Sequence, residues 1–254
     1  MNVLISVVII TKNEARNIGR CLDSVQSVAD EVVVVDSYST DDTKAICLAR
    51  KVRFVEHPFY YYSAQKNYAT QCATFDYILS LDADEALSET LILAIQNLKS
   101  NWSADAYTMN RLNNYCGQWI RHSGWYPDKK IRLFDRRKAQ WGDTNPHERV
   151  LLQAGATLGH LSGDLLHYSY ASISEHVQKM NYYTDLMAKA AFEAGKKASI
   201  FKIIWSPWFN FLKKYILKLG FLDGYYGFVV CVMAGYYNFL KYVKLRALHR
   251  ASKS

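Results

Sequence analysis

Short apolar runs alternate with amphipathic stretches through the first hundred residues of the chain. The apolar runs are rich in β-branched residues and six to eight residues long, as expected of buried parallel strands. They cover residues 4–11, 31–36, 52–57 and 77–82. Four strand-and-helix units in succession predict an α/β fold, namely a doubly wound, mainly parallel sheet flanked by helices.

The stretches between these runs have helical periodicity. Residues 13–25 place four apolar side chains on one helical face, namely Ile18, Cys21, Leu22 and Val25. Further helices are predicted at residues 40–50, 63–72 and 88–98. Acids and hydroxyls at the start of the segment 40–50 suit the first turn of a helix.

After residue 101 the pattern changes to short strand candidates among loops rich in Asn, Gly, Trp and Arg. The candidates lie at residues 106–109, 131–134 and 165–168. A capping-box pattern, Ser172-Ile-Ser-Glu175, then predicts a helix that runs to about Lys196. This part of the chain is interpreted as an extension of the sheet with substrate loops.

Composition favours a globular, cytoplasmic protein. Half of the 254 residues are hydrophobic and 21% are charged, which is enough for one full α/β core. The five cysteines form no C-x-x-C pair, so neither a disulfide framework nor a zinc site is predicted. The first residues lack the basic start and cleavage site of a signal peptide, which favours a protein that is not exported.

The net charge of +8 comes from the C-terminal tail, residues 196–254. This tail has eleven Lys and Arg against one acid, whereas residues 1–195 have 20 basic and 22 acidic groups. It also holds 14 of the 36 aromatic residues, a composition typical of helices on an anionic bilayer. Its longest uncharged stretch, the 17 residues 224–240, is short beside the roughly 20 of a spanning helix. We therefore predict in-plane or partly embedded helices.

Two other interpretations of the tail remain open. Its helices could pack on the core as a subdomain with solvated lysines. A basic, aromatic surface could also bind nucleic-acid strands. The long apolar runs between the charges argue against nucleic acid, so no nucleic-acid partner is predicted.

Acidic and polar residues follow three of the predicted strands, where each strand ends. The acids are Asp36, Asp82 and Asp84, and the first strand ends in the polar segment 11–14. Parallel strands end at one sheet edge, where such sheets bind ligands. No glycine-rich phosphate loop is present, so a divalent metal held by carboxylates is predicted to meet a phosphorylated substrate. Alternatively, Asp36 could cap a helix, and the other two could be turn residues.

Four motifs, in order, resemble the N-terminal half of the family 2 glycosyltransferases, which have the GT-A fold. They are Ser-Val-Val-Ile-Ile-Thr-Lys-Asn-Glu at 6–14, Val-Val-Val-Asp-Ser-Tyr-Ser-Thr-Asp at 33–41, Gln-Lys-Asn-Tyr-Ala at 65–69 and Leu-Asp-Ala-Asp-Glu at 81–85. Later segments at 126–134, 146–149 and 220–227 resemble the branch that includes lipopolysaccharide-core β-1,4-glucosyltransferases.

The resemblance implies a GT-A catalytic domain at 1–195 and a helical, membrane-associating tail at 196–254. Within the domain, 1–100 would bind the nucleotide sugar, 101–171 would form the acceptor side and 172–195 a helix. The implied enzyme is an inverting glycosyltransferase that moves a hexose, with glucose favoured, from a UDP-sugar to a hydroxyl. Its acceptor would be a lipid-linked oligosaccharide of the lipopolysaccharide core (heptose-type) or a similar glycolipid. It would be peripheral on the inner face of the cytoplasmic membrane.

The resemblance also implies donor-site roles. Asp84 would coordinate Mg²⁺ or Mn²⁺ between the two phosphates, Asp82 would contact the ribose, and Asp36 the uracil or ribose. Lys66 would face the base or diphosphate, although a lone lysine on a helix is ordinarily solvated. Glu85 is interpreted as a first-turn acid of the next helix or as a supporting group. The nucleotide-sugar pocket would comprise Thr11, Asn13, Glu14, Asp36, Lys66, Asp82 and Ala83.

An inverting displacement needs a base for the acceptor hydroxyl, typically a carboxylate within about 3 Å. The resemblance places it in the Pro-His-Glu loop, where Glu148 is the predicted base and His147 its rival and a possible acceptor-side residue. Trp125 and Arg132 are further acceptor-side candidates, because aromatic faces stack on sugars and Arg binds phosphates or acids bidentately. A buried tryptophan that anchors a loop would explain Trp125 equally well.

Three other functional classes remain open. A polyprenyl-phosphate glycosyltransferase would share the donor half and the membrane, but its ionised acceptor would not need Glu148. A nucleotidyltransferase would also use paired acids, yet it usually has a Gly- and Arg/Lys-rich N-terminal loop unlike residues 11–14. A non-enzymatic, membrane-associated binding protein would explain the tail and leave the acidic strand ends unexplained.

Overall fold

The computed structural model of the protein describes residues 2–142 and 148–252. The described strands are β1 (Ile5–Thr11), β2 (Glu31–Asp36), β3 (Arg53–Glu56), β4 (Tyr77–Asp82), β5 (Glu85–Leu87), β6 (Ala106–Tyr115), β7 (Gln118–Ile120), β8 (Asp128–Asp135), β9 (Ala139–Gly142), β10 (Arg149–Leu152) and β11 (Leu158–Tyr170). The α-helices are α1 (Ile18–Val25), α2 (Thr43–Ala49), α3 (Tyr62–Cys72), α4 (Glu89–Ser100), α5 (Ile173–Glu193), α6 (Ile200–Leu212) and α7 (Gly224–Ala251). A π-helical turn (Lys213–Leu217) and a 3-10 turn (Gly220–Asp223) lie between α6 and α7.

The central sheet has the strand order β3-β2-β1-β4-β8-β6-β11-β5, and β7 pairs with β6. The strands β1 to β4 pair in parallel. Pairs β4–β8, β6–β8, β6–β7 and β11–β5 are antiparallel. The predicted α/β fold is confirmed, and the parallel strands β1 to β4 are joined in succession by the helices α1, α2 and α3, as parallel pairing requires. β9 and β10 form a separate antiparallel pair.

The strand β1 is buried along its whole length, and its side chains alternate between two cores. Ile5, Val7 and Ile9 pack in one core with residues of α1 and α4. Val8 and Ile10 lie in the other, with residues of β2 and α3. The four-residue apolar face predicted for α1 is buried. Each fully buried aliphatic side chain contributes about 1.5–3 kcal/mol to folding.

Several elements differ from their predicted bounds for identifiable reasons. The three short strand candidates after residue 101 belong to strands of 10, 8 and 13 residues, β6, β8 and β11. Neighbouring strands extend their hydrogen bonding beyond the apolar core of each segment. The helix predicted from residue 13 begins at Ile18, because Asn13 has a left-handed backbone with φ 54°.

The chain divides into two compact units. The first unit comprises Met1–Arg111 and Asp128–Tyr168, and the second unit comprises Leu112–Pro127 and Ser169–Ser254. This division differs from the predicted boundary at residue 196, because α5 packs on α7. The functional division into 1–195 and 196–254 stays a prediction.

Helix α5 of the second unit starts at the predicted capping box. Ser172 Oγ accepts a hydrogen bond from Glu175 N at 3.1 Å, and Glu175 Oε2 accepts one from Ala171 N at 2.9 Å. α6 and α7 approach closely at Gly235, where an added Cβ would lie 2.9 Å from the Pro207 carbonyl oxygen. A larger residue there would push the two helices apart.

No helix in the described part of the chain is by itself long and apolar enough to cross a bilayer. The segments Ile200–Leu217 and Gly220–Ala251, bent by 76° at the break between them, meet the requirement together, by length and composition only.

Candidate functional site

Three strands of the first unit end at one edge of the sheet. The register pairs Thr11 with Asp36 across β1 and β2. It pairs Ile10 with Asp82 across β1 and β4. Ser37 N donates to the Thr11 carbonyl oxygen at 2.9 Å, so the chain remains paired just beyond β2. The predicted convergence of these strand ends is confirmed.

Asp36 holds two loops together at this edge. Its buried carboxylate accepts hydrogen bonds from Ser39 N at 2.7 Å and from Ser39 Oγ at 2.5 Å. Ser39 Oγ accepts from Asn13 N at 2.7 Å, and Asn13 Oδ1 accepts from Thr40 N at 2.8 Å. Asp36 therefore stabilises a turn and does not cap α2, whose N-cap is Asp42, and its remaining lone pairs leave capacity for a ligand.

The other residues predicted to bind the nucleotide sugar, in or just after β1 and β4, differ in the hydrogen bonds that they make within the protein. Thr11 Oγ1 is buried and has no hydrogen-bond partner in the described part of the chain. An unsatisfied buried hydroxyl costs about 1–3 kcal/mol, which a ligand could recover. Glu14 Oε2 accepts from Asn17 Nδ2 at 2.7 Å. Ala83 is buried and presents only a methyl group.

A network of charged side chains lies at the end of β4. Lys66, in α3, is 1% exposed, and its Nζ lies 3.0 Å from Asp82 Oδ1 and 3.1 Å from Glu148 Oε1. A buried charge is tolerated when it is paired, and here one ammonium serves two carboxylates. Lys66 is therefore not a solvated surface charge. The structure therefore brings the predicted base, Glu148, together with Lys66 and Asp82, two residues predicted to bind the nucleotide sugar.

Arg132 joins this network from β8. Its Nη2 and Nε donate to Glu85 at 2.7 and 3.1 Å, and Nη2 also donates to Asp82 at 3.0 Å. Arg132 and Glu85 are both buried. Glu85 begins β5, so its interpretation as a first-turn helix acid is wrong and its supporting role fits. Two carboxylates already bind the guanidinium of Arg132. This favours a role for Arg132 in positioning Asp82 and disfavours the predicted contact with an acceptor.

The two cations control the protonation of Asp82. Burial acts to raise the pKa of its carboxyl group, but Lys66 and Arg132 outweigh burial and hold that pKa well below its usual range. Burial acts to lower the pKa of Arg132, and the carboxylates of Glu85 and Asp82 raise it above its usual value. Asp82 and Arg132 therefore stay charged at physiological pH.

Trp141, in β9, belongs to this site although the sequence motifs do not single it out. Its ring centroid lies 4.4 Å from Lys66 Nζ and 5.4 Å from Arg132 Cζ, within the range of cation–π attraction. Asn67 Nδ2 donates to the Trp141 carbonyl oxygen at 2.9 Å, and Trp141 N donates to Asn67 Oδ1 at 3.1 Å. The sequence offers one signal that could have led to Trp141, namely Asn67 of the Gln-Lys-Asn motif. That Asn67 pairs with Trp141 is visible only in the fold.

Asp84 lies against His167, a second residue that sequence reasoning missed. Asp84 Oδ2 is 3.3 Å from His167 Nε2, and the Asp84 carbonyl oxygen accepts from Tyr168 N at 2.9 Å. The pairing of β11 with β5 places His167 opposite Glu85. A carboxylate oxygen and an imidazole nitrogen this close can bind one divalent ion.

Asp84 and His167 would supply two protein ligands to such an ion. Across residues 2–142 and 148–252, no group of three or more His, Cys, Asp and Glu side chains is arranged to hold a metal ion. Two protein ligands suit an ion that completes its shell with substrate phosphate oxygens, as Mg²⁺ commonly does. The donor set therefore fits a metal that binds together with a nucleotide diphosphate.

Trp125 belongs to the second unit, in an aromatic cluster. Its ring centroid lies 5.9 Å from that of Tyr115, 6.2 Å from Tyr170 and 6.4 Å from His176. This packing supports the interpretation of Trp125 as a loop anchor, and its acceptor-side role stays a prediction. His147, the rival base and acceptor-side candidate, lies outside the described residues.

One family profile, two proteins related in sequence and one solved structure of the same fold are similar to this chain. The profile of Glycosyl transferase family 2 matches residues 6–155. An uncharacterized glycosyltransferase of Rickettsia typhi is 34% identical over 260 residues, covering 98% of this chain and 89% of the relative. The lipopolysaccharide core biosynthesis glycosyltransferase LpsC of Rhizobium meliloti is 27% identical over 256 residues, covering 96% and 93%. The mannosyltransferase PcManGT of Pyrobaculum calidifontis, solved with GDP-Man and Mn²⁺, shares the fold at TM-score 0.55 and 16% identity, covering 96% and 87%.

Proposed function

This chain belongs to glycosyl transferase family 2, and we propose that it moves a hexose, with glucose favoured, from a UDP-sugar to a hydroxyl of a lipopolysaccharide-core (heptose-type) or similar glycolipid. The family profile and the full-length relatives establish a nucleotide-sugar-dependent glycosyltransferase. The observation that carries the finer proposal is the cluster in which Lys66 joins Glu148 to Asp82, at 3.1 and 3.0 Å.

Transfer to a hydroxyl requires a base, and Glu148 is suited to that role. Its side chain is 24% exposed, so an acceptor can reach it, while Lys66 fixes its position. The carboxylate would take the hydroxyl proton as the acceptor oxygen bonds to the anomeric carbon. The sugar–phosphate bond breaks in the same step, and UDP leaves with the electron pair. A lipid-phosphate acceptor would arrive already ionised and would need no such base.

Asp84 and His167 would hold a Mg²⁺ or Mn²⁺ ion beside the donor. When bound, the ion supplies positive charge where negative charge develops on the leaving diphosphate. Thr11, Asn13 and Asp36 would line the nucleoside end of the same sheet edge. The mannosyltransferase of the same fold was solved with GDP-Man and Mn²⁺, which is in keeping with this assignment.

The acceptor class is supported by the similarity to LpsC along nearly the whole chain. A lipid-linked acceptor would be presented at a membrane surface. The basic tail, with eleven Lys and Arg against one acid, suits the anionic inner face of the cytoplasmic membrane. We propose that the enzyme is a peripheral protein on that face, where its acceptor is locally concentrated.

A panel of sugar nucleotides tests the donor and the metal together. UDP-glucose with Mn²⁺ should raise the melting temperature more than UDP-glucose or Mn²⁺ alone. Asp84→Ala should lose the part of this rise in melting temperature that depends on Mn²⁺, and it should also lose activity. Asp185→Ala, an exposed acid of α5, is the control and should keep the shift. Stabilisation by GDP- or dTDP-sugars instead would overturn the UDP assignment, and an active, metal-independent Asp84→Ala would overturn the metal role.

Transfer assays then test the acceptor. Labelled hexose should be transferred to a heptose-containing core oligosaccharide. Transfer to polyprenyl phosphate, without transfer to the oligosaccharide, would contradict the proposal and identify the polyprenyl-phosphate alternative.

A further inference from the structure

Helix α6 is an apolar helix that packs on α7, yet most of its large apolar side chains are exposed in the described part of the chain. Its 13 residues include one charge, Lys202, and none of them is buried. Phe201, Trp208 and Phe209 are 70%, 63% and 69% exposed. Contiguous large apolar side chains on a surface mark a site that binds an apolar partner.

An apolar groove with a volume of about 710 Å³ lies between α6 and α7. This volume is in the range of ordinary ligand sites, about 300–1,000 Å³. Among the described residues, no charged side chain lines it, and the lining includes Ile204, Trp208, Phe211, Phe228, Val232 and Phe239. The groove therefore suits a hydrocarbon ligand.

Cations flank this apolar surface on both sides along the chain. Lys196 precedes α6, Lys213 and Lys218 lie in and after the π-helical turn, and Lys241 follows the uncharged part of α7. Residues 224–240 between them carry no charge. A second copy of the same face would bring like charges together, which opposes self-association. Apolar area bounded by cations instead complements an anionic lipid leaflet.

We propose that the face formed by α6 and residues 224–240 inserts into one leaflet of an anionic bilayer, and that its groove holds an acyl chain of a membrane lipid. This rests on the membrane location in the proposed function, and it adds the surface that inserts and the acyl ligand of the groove. The two helices lie in the membrane plane with their apolar side chains in the hydrocarbon. The lysines reach the lipid phosphates with their charged ends. Membrane binding is thus hydrophobic as well as electrostatic.

Tryptophan fluorescence tests whether an acyl chain reaches the groove. Full-length protein is mixed with phosphatidylcholine vesicles that contain one-third phosphatidylglycerol, with or without bromine on the acyl chains. Brominated chains quench tryptophans that touch them, and Trp208 lines the groove. Wild-type protein should therefore lose a larger fraction of its fluorescence than Trp208→Phe, which keeps the groove apolar. Equal fractional quenching of the two proteins would overturn the proposal.

A pair of matched variants tests insertion. Phe209 on α6 is 69% exposed, and Leu93 on α4 of the first unit is 60% exposed. Phe209→Ser should weaken partitioning into vesicles about 10- to 100-fold, because it removes one aromatic side chain from hydrocarbon. Leu93→Ser should leave partitioning unchanged. The assay is run at about 1 M NaCl, where the Debye length is about 3 Å and electrostatic attraction is screened.

Other outcomes of this assay would contradict the proposal. Complete loss of wild-type binding at high salt would show a purely electrostatic association. Equal effects of the two substitutions would show that α6 has no special role. A wild-type dimer that Phe209→Ser converts to a monomer, without vesicle binding by either, would identify a second copy as the occupant.

Transfer to a deacylated, water-soluble acceptor separates this inference from the proposed function. Phe209→Ser should leave that transfer unchanged, because Phe209 is in the second unit and outside the described ionic site. Wild-type protein that transfers to the soluble acceptor but does not insert would refute insertion alone. Wild-type protein that transfers hexose to no acceptor would refute the proposed function.

Discussion

The first unit buries charged side chains, whereas the second unit exposes large apolar ones. In the first, Lys66, Glu85 and Arg132 are 1%, 1% and 4% exposed. In the second, Phe201 and Phe209 of α6 are 70% and 69% exposed. Both arrangements depart from the usual partition in globular proteins, in which charged side chains are exposed and large apolar side chains are mostly buried. The difference fits the two proposals, in which the first unit binds a charged donor and the second unit inserts into an apolar phase.

Other parts of the fold show the usual partition. The aliphatic side chains of β1 are buried. The ion pair of Lys44 and Glu56 in the first unit lies at the surface, with side chains 49% and 42% exposed. The buried ionic network and α6 each belong to a proposed binding surface. Such local departures from sequence–structure consistency are expected at functional sites.

Glu148→Gln tests whether the buried charges of the first unit serve chemistry. This change keeps the shape of the side chain and removes its basicity, so hexose transfer should fall about 10²- to 10⁴-fold. Binding of UDP-glucose with Mn²⁺, measured by calorimetry, should persist. Near-normal transfer by the variant would remove Glu148 from the reaction and favour an acceptor that is already ionised.

Lys66→Met tests the stability of the same network. Removing one partner of a buried ionic cluster costs about 3–5 kcal/mol, because the carboxylates of Asp82 and Glu148 lose their shared cation. We expect the melting temperature to fall by about 10 °C. Lys44→Met is the matched control, since its Nζ also lies 3.1 Å from a carboxylate oxygen but at the surface. It should cost about 0–1 kcal/mol. Equal losses of stability in Lys66→Met and Lys44→Met would mean that burial does not increase the contribution of the Lys66 network to stability.

Acid should affect the two units in different pH ranges. Burial, with a smaller effect of Lys179, lowers the pKa of His176 in the second unit to about 4. The unfolded histidine has a pKa of about 6.5, so it binds the proton first and stability falls as pH drops from about 6.5 to 4. The pKa of Asp82 is also depressed, so its contribution is present above the unfolded value of about 3.9 and is lost only below it.

His176→Gln isolates this titration. Its melting temperature should vary less than that of the wild type between about pH 4 and 6.5, and both proteins should lose stability below about pH 4. Thermal unfolding across this range measures the effect, which we expect to be the smallest of those described here. Superimposable profiles over the whole range would show that His176 does not contribute.

The elements of the first unit were largely predictable because their signals are local. The apolar runs at 31–36 and 77–82 coincide with β2 and β4, and the apolar face of α1 is buried. The antiparallel strands β6 and β11 were predicted too short, since their ends contain polar residues such as Asn110 and Ser169. Hydrogen bonding to neighbouring strands extends them, and no periodicity in the sequence records that pairing.

The site was predictable where its residues follow strands and unpredictable where they come from distant segments. Asp36 and Asp82 follow β-branched or apolar runs, so their convergence follows from parallel pairing. Trp141 lies in β9, which pairs with β10 outside the central sheet, and His167 lies in β11, which pairs with β5. Neither pairing has a local signal in the sequence. Likewise, Arg132 has the chemistry for binding an acceptor, but its tertiary neighbours are Glu85 and Asp82.

Three properties are predictable from the sequence alone, namely the α/β class, the acidic sheet edge and the separation of charge between the tail and the rest. They follow from strand and helix periodicity and from local composition. The packing of distant segments, in contrast, buries Lys66 between Asp82 and Glu148, places His167 against Asp84 and leaves most large side chains of α6 exposed. Burial and long-range pairing depend on which segments pack together, and that is a property of the whole fold.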